Sequence, residues 1–289
     1  MALTPNAWRY TGVAVRGGAH VQSGEPCQDA WAARLVEGPA GLALILAASD
    51  GAGSARRAED GARTCVDRFV AELEQWLAAD PTLAALDEAA ARDVAGRIVE
   101  TLRQQAADAD ASPRDFACTL LGAALTETVA CFWQRGDGFI LREREDRYEP
   151  VIAPDRGQYV NETGFITDAD AVEALHFRRL DERIDRLAVL TDGLEPVTIV
   201  ARTGLGFERF FAPLFARLAQ SEPGWRDDLA QQLAGLLDDP RVNAKTGDDK
   251  TLLLAIRDGE QATEGESVGE PEPPSSTPSG PDPATDPSP

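Results

Sequence analysis

LILAASDGAGSA, residues 44–55, decides how this chain is read. An apolar run from Leu42 to Ala48 climbs into Ser49, Asp50, Gly51, Ala52, Gly53 and Ser54. A run that apolar reads as a buried strand. A carboxylate at the end of a buried strand is an odd exit from a core. Taken alone, Asp-Gly is an ordinary turn dipeptide, and Ser54 is a ready N-cap for a following helix.

The same ending recurs along the chain. RLAVLTDG ends in Asp192-Gly193 and FWQRGDG in Asp137-Gly138. Asp248 and Asp249 stand just before the apolar run TLLLAI, and Asp29 in PCQDAWAA opens another strand. If these five strands share one sheet system, their acidic ends converge at one edge. Converging carboxylates repel and raise one another's pKa values. Divalent cations relieve that repulsion, and hard oxygen donors suit Mg²⁺ or Mn²⁺. Glycine after each aspartate lets a backbone carbonyl approach a metal closely. Two such ions side by side activate a water and clamp a phosphoryl group.

The rest of the chain frames that reading. It has 289 residues, 43% of them hydrophobic, enough for a sizeable core. The formal net charge is −21, which repels nucleic acid and anionic membrane surfaces. No apolar run approaches the length that spans a bilayer, and MALTPNAWRY does not read as a signal peptide. The four cysteines, Cys27, Cys65, Cys118 and Cys131, form no CxxC pair, and the last three sit among apolar residues as small core side chains. A reduced, cytoplasmic protein is expected. From Asp258 onward there are eight acidic residues, eight prolines and neither lysine nor arginine. Such a segment cannot bury enough apolar surface to order itself, so residues 258–289 are expected to be a disordered tail behind a domain at 1–257. Removing the tail's eight negative charges from −21 leaves −13 on the domain.

Within the domain, strands come in runs and helices in two blocks. Strands are expected at WRYTGVAVRG, DAWAARLV, GLALILAASD, FACTLLGAALT, TVACFWQRGDG, GFILRERE, RLAVLTDGLE and DDKTLLLAIRD. Helices are expected from Ser54 to Ala79, from about Leu86 to Ala109, and at PLFARLAQ and DDLAQQLAGLLDD. That is an α+β pattern rather than strict βαβ alternation.

The ordered set CQDA, ASDGAGSA, FACTLLGA, RGDG, LTDGLE and DDKTLLLA resembles the metal-dependent serine/threonine protein phosphatases of type 2C. It is most similar to their shorter bacterial branch, whose HxxxGxPCQDA pattern reads here as His20 to Ala30. The resemblance spans about residues 10–256 and implies a four-layer α-β-β-α sandwich with two central antiparallel β-sheets. It implies two Mn²⁺ or Mg²⁺ ions and a weaker third. By the same resemblance, Asp50 bridges the first two ions, the Gly51 carbonyl binds one, and Asp192 and Asp248 complete the first. Asp29 holds a metal-bound water, and Asp137 shares the third ion with Asp192, where Glu195 is a less secure match. Thr119 lies beneath the site as a supporting residue.

Two departures stand out. Gln28 replaces the glutamate that supports the second metal in the larger family. His20 takes the place of the arginine that grips phosphate, and would either bind phosphate or give a proton to the leaving oxygen. The alternatives are Arg16 as the phosphate contact and His20 as a loop histidine bonded to backbone. His176 reads as an ordinary partly buried or surface histidine. Asn161-Glu162-Thr163 matches a bacterial-branch segment near substrate entry.

The implied activity is hydrolysis of phosphoserine and phosphothreonine monoesters by a metal-activated water. The implied partner is a phosphoprotein substrate, in a system paired with a serine/threonine kinase, and a monomer is expected. The alternative is a phosphoprotein-binding pseudophosphatase, weakened by Gln28. Thiol chemistry is disfavoured, because no cysteine heads a Cys-x5-Arg loop, and LAASDGAGSA lacks the DxD of aspartyl-nucleophile phosphatases.

Overall fold

The structure is a computed structural model that describes residues 7–154 and 163–257. The elements run as follows: β1 (Trp8–Val15), α1 (Gly18–Ser23), β2 (Ala30–Gly38), β3 (Gly41–Ser49), α2 (Ala58–Ala79), α3 (Glu88–Asp108), β4 (Leu120–Leu125), β5 (Ala130–Arg135), β6 (Phe139–Arg144) and β7 (Arg147–Pro150). There follow β8 (His176–Leu180), β9 (Arg186–Leu190), α4 (Glu195–Thr198), β10 (Ile199–Val200), β11 (Leu205–Gly206), α5 (Glu208–Ala219), β12 (Gly224–Trp225), α6 (Asp227–Leu237), α7 (Pro240–Asn243) and β13 (Lys250–Arg257).

Two sheets form. One has the order β10-β11-β7-β6-β9-β13-β1-β12, the other β2-β3-β4-β5-β8. All pairings are antiparallel except β1 with β12, which run parallel through Arg9↔Gly224 and Tyr10↔Trp225. The layers follow from side-chain alternation along each strand. In β3, Ala43, Ile45 and Ala47 pack toward α2 and α3, while Leu44, Leu46 and Ala48 pack toward the other sheet. In β13, Leu253 and Ala255 face the sheet interface, and Leu252, Leu254 and Ile256 face α5 and α6. Both faces of these strands are covered, so their sequences are apolar throughout rather than alternating. The result is the expected helix–sheet–sheet–helix stack. Truncating a central side chain such as Ile45 to alanine costs about 2–5 kcal/mol.

Several boundaries differ from the sequence reading. α2 begins at Ala58, not Ser54; residues 50–57 instead cross the sheet edge, where the Ala52 amide donates to the Ala117 carbonyl (2.9 Å) and the Arg57 amide to the Asp115 carbonyl (2.7 Å). Ser54 therefore caps nothing. FACTLLGAALT is not strand throughout, because Pro113–Phe116 form a 3₁₀ turn and β4 starts at Leu120. α5 starts five residues before PLFARLAQ, with Pro213 inside it. The expected disordered tail at 258–289 lies outside the described residues.

Candidate metal-dependent active site

Every acidic strand end predicted from the sequence falls on one edge of the sandwich, and both sheets contribute. Asp50 follows β3, Asp137 sits in the β5–β6 turn, Asp192 follows β9, Asp248 precedes β13 and Asp29 precedes β2. Asp50, Asp137 and Asp192 each offer a carboxylate oxygen within 4.8 Å of the others. Asp29 and Asp248 complete the group electrostatically, since both act on Asp50 and on Asp192.

Local backbone crowding explains the glycines. A Cβ on Gly51 would lie 2.7 Å from the carbonyl oxygens of both Ala58 and Gln28, and one on Gly193 would lie 1.9 Å from that of Asp249. Neither glycine has a positive φ, so these Asp-Gly pairs are not left-handed turns. They are places where two chain segments meet too closely for a side chain.

Supporting hydrogen bonds fix the aspartates. The Asp50 amide donates to Thr119 Oγ1 (2.9 Å), the Thr119 amide returns to the Asp50 carbonyl (2.8 Å), and Ser49 Oγ donates to the Thr119 carbonyl (2.5 Å). Thr191 and Thr251 both donate hydroxyls to Asp29 Oδ2, at 2.8 and 2.7 Å. Thr163 Oγ1 donates to Asp137 Oδ2 (2.7 Å), which brings the last residue of the Asn161-Glu162-Thr163 segment to the site. Asn161 and Glu162 lie outside the described residues.

Burial and like charge set the electrostatics of the group. Burial pushes the Asp29 carboxyl up to about 7, aided by Asp249 and opposed by the two threonine hydroxyls. Burial, then Asp137, Asp248 and Asp29, pushes Asp192 to about 7. Asp50 is raised well above the ordinary range by burial and by Asp29, Asp192 and Asp248. Asp29 and Asp50 lie close enough to act on each other's charge. With both ionised, Asp29 Oδ1 is buried and has no partner. Gln28 is 7% exposed and its Oε1 is likewise unpartnered. Lys250 does not neutralise the group: its Nζ donates to Asn243 Oδ1 (2.9 Å) and reaches only the backbone carbonyl of Asp248 (3.5 Å). All the converging donors are oxygens and most are carboxylates. They fit a hard divalent cation.

The other sequence candidates separate. His20, on α1, is half-buried beside the edge, and its Nδ1 lies 2.9 Å from Asp249 Oδ2. Its Nε2 is 3.7 Å from Glu25. The reading of His20 as a backbone-bonded loop residue is therefore corrected: it sits on a short helix and pairs with a carboxylate. Arg16 is exposed in the connection between β1 and α1 and is not part of the carboxylate group. Glu195 is half-buried at the start of α4. His176 is an exposed residue on β8, the edge strand of the five-stranded sheet.

One residue was not singled out from the sequence. Asp249 is 2% exposed; its Oδ1 accepts from the Gly17 amide, and its Oδ2 accepts from the Gln28 amide, both at 2.6 Å, besides meeting His20. It ties together the α1 turn, the segment before β2 and the start of β13. The Asp248-Asp249 pair was the available signal, but nothing in it divides a ligand from a brace.

A family profile for Protein phosphatase 2C matches residues 16–238. The chain belongs to the protein phosphatase 2C family. It is 31% identical over 254 residues to Serine/threonine-protein phosphatase 3 of Escherichia coli (strain K12), covering 86% of this chain and 98% of that protein. Solved structures of the same fold include the serine/threonine phosphatase Stp1 from Staphylococcus aureus (TM-score 0.59, 18% identity, 90% of this chain and 98% of that one). Another is the catalytic domain of the serine/threonine protein phosphatase PstP in complex with two manganese ions (TM-score 0.52, 18% identity, 86% and 98%). As a 2C family member the chain is a protein phosphatase. No helix among the described residues is long and apolar enough to cross a membrane.

Proposed function

We propose that this phosphatase hydrolyses phosphoserine and phosphothreonine monoesters in proteins, using Mn²⁺ or Mg²⁺ held at the acidic sheet edge. The observation that carries the reading is the convergence of Asp50, Asp137 and Asp192 within 4.8 Å, with Asp29 and Asp248 beside them. The name of the E. coli relative supports the substrate class, and the manganese in PstP supports the metal.

Asp50 is central to the group and would bridge two cations, with the Gly51 carbonyl, Asp192 and Asp248 on the first. Asp137 with Asp192 would take a third, weaker one. Divalent cations bound there supply Lewis-acid polarisation of the phosphoryl group and acidify water at the site. The chain's own groups do the rest. Asp29, gripped through Oδ2 by two threonines, keeps Oδ1 free to orient a water or take its proton. His20 Nδ1–H donates to Asp249, which leaves Nε2 as the atom that meets the phosphate or the leaving oxygen. Arg16, on the solvent side, is the second phosphate contact. Gln28 offers a neutral oxygen where an acid would add charge, so it would hold a second cation less tightly than an acid there.

The phosphatase domain spans residues 1–257 and acts in the cytoplasm as a monomer, opposing a serine/threonine kinase. A binding module without turnover has no observation in its favour, because Asp50, Asp192 and Asp248 all stand at the edge. The test is release of phosphate from a phosphothreonine peptide. Turnover with Mn²⁺ that EDTA abolishes and Asp50→Asn removes is expected. Folded protein that is inactive with every divalent metal contradicts the reading.

A further inference from the structure

Arg135 ends β5, two residues before the edge carboxylate Asp137. Side-chain alternation along β5 puts Cys131 and Trp133 in the core shared with α2 and α3, and Arg135 is next on that face. There it is only 9% exposed. A guanidinium that buried needs acceptors, and it finds them in the turn that follows Thr163. Its Nη2 lies 3.2 Å from Asp168 Oδ2 and 3.2 Å from Asp170 Oδ1, and its Nε donates to the Phe165 carbonyl (3.4 Å). Asp168 Oδ2 also accepts from the Phe165 amide (2.7 Å). Arg135 and Asp168 thus grip both backbone polar groups of one residue, Phe165. Gly164 makes room for this, since a Cβ there would lie 2.4 Å from the Arg135 guanidinium carbon.

The turn so gripped meets the acidic edge on both sides of Phe165. Two residues earlier, Thr163 Oγ1 donates to Asp137 Oδ2 (2.7 Å). One residue later, the Ile166 amide donates to the Cys118 carbonyl (2.8 Å), beside Thr119, whose hydroxyl accepts from the Asp50 amide. Ile166 itself is buried in the same cluster as Trp133. A hydroxyl–carboxylate bond weakens steeply with small changes of distance and angle, so the Thr163 contact is only as good as the turn that presents it. Arg135 is the buried charge that fixes that turn to the strand leading into Asp137.

We propose that Arg135, latched by Asp168, is a positioning residue for phosphomonoester hydrolysis: it seats Thr163 on Asp137 and so fixes the orientation of that carboxylate within the edge group. The effect on turnover rests on the phosphatase reading above, while the latch stands on its own geometry. Arg135 acts through Thr163 and Asp137, so its loss loosens one carboxylate and removes none.

The test measures wild type, Arg135→Gln and Asp168→Asn in two ways. Hydrogen exchange of the full chain in EDTA reads the latch directly. The Phe165 and Ile166 amides should exchange at least about tenfold faster in both variants, with β4 and β5 unchanged. Kinetics on a phosphothreonine peptide at saturating Mn²⁺ read the consequence. Each variant should lower kcat about tenfold with KM within about twofold. Adding Arg135→Gln to Thr163→Val should cost no more than Thr163→Val alone, because both lie on one path to Asp137. Asp168→Asn keeps the buried arginine and decides the matter should Arg135→Gln fail to fold. Unchanged exchange in the variants overturns the latch, whatever the kinetics show. Faster exchange with wild-type kcat, or losses that multiply in Arg135→Gln/Thr163→Val, overturns the path to Asp137. Wild type without Mn²⁺-dependent turnover overturns the phosphatase reading and the positioning role with it, and faster exchange would then mark a purely structural latch.

Discussion

β13 joins two ends of the sandwich that handle charge in opposite ways. Where it starts, Asp248 and Asp249 add negative charge beside Asp29, Asp50 and Asp192, whose pKa values are raised by burial and by neighbouring carboxylates. Where it ends, Arg257 is buried, with its guanidinium 4.7 Å over the Trp8 ring, 3.3 Å from Asp185, 3.6 Å from Glu127 and donating to the Thr126 carbonyl at 2.9 Å. Arg183 joins the same two acids, at 2.6 Å to Glu127 and 2.5 Å to Asp185. One end balances its charges from within the chain. The other leaves them for cations from outside. A fold that can pair its acids with arginine, as it does around Arg257, and does not do so at Asp50 holds a site there rather than a brace.

The contrast breaks most visibly at Asp50. Asp50→Asn should lower turnover by more than about a hundredfold, since even residues that only orient metal ligands are worth about 10–100-fold. Phosphopeptide kinetics at saturating Mn²⁺ check this. At the paired end, Asp185→Ala should cost about 2 kcal/mol of stability, because it strips a partner from buried Arg257, while turnover per folded molecule stays unchanged. Urea denaturation and activity, measured on the same sample, separate the two effects. Asp249→Asn sharpens the comparison within the acidic end. It should slow phosphopeptide turnover about tenfold by loosening His20, yet leave metal-induced stabilisation intact, which marks Asp249 as a positioning residue.

The acidic end should also respond to pH. Asp29 and Asp192 are raised from the ordinary value of about 4 to about 7. The folded, metal-free protein therefore binds protons more tightly than the unfolded chain. Its contribution from these groups is fully present below about pH 4 and is lost as pH rises through about 7. Cations bind the ionised form, so apparent Mn²⁺ affinity should fall about tenfold from pH 8 to pH 6, by calorimetric titration.

The strand ends at Asp50, Asp137 and Asp192 were legible because buried strands have few reasons to finish in a carboxylate, and three did so in the same way. The layers were legible because doubly covered strands are apolar on both faces. α1 was not: six residues with glycines at both ends carry no helical period, and the turn is held instead by Asp249, 229 residues away from His20. β10, β11 and β12 are two residues each, too short for any pattern, and exist through pairing with their neighbours. The start of α2 moved because the crossing of residues 50–57 over Ala117 and Asp115 is a tertiary event that local capping signals cannot report.

The most direct test of the account is a thermal melt of wild type and Asp50→Asn, in EDTA and in excess Mn²⁺. If the acidic edge is a strained cation site, Asp50→Asn in EDTA should melt higher than wild type by about 3 °C. Mn²⁺ at a hundredfold excess over its dissociation constant should stabilise wild type by about 2.7 kcal/mol, and the variant by far less. A variant that melts lower than wild type in EDTA and keeps the full Mn²⁺ shift would contradict the account, and would make Asp50 a structural residue and not the bridge.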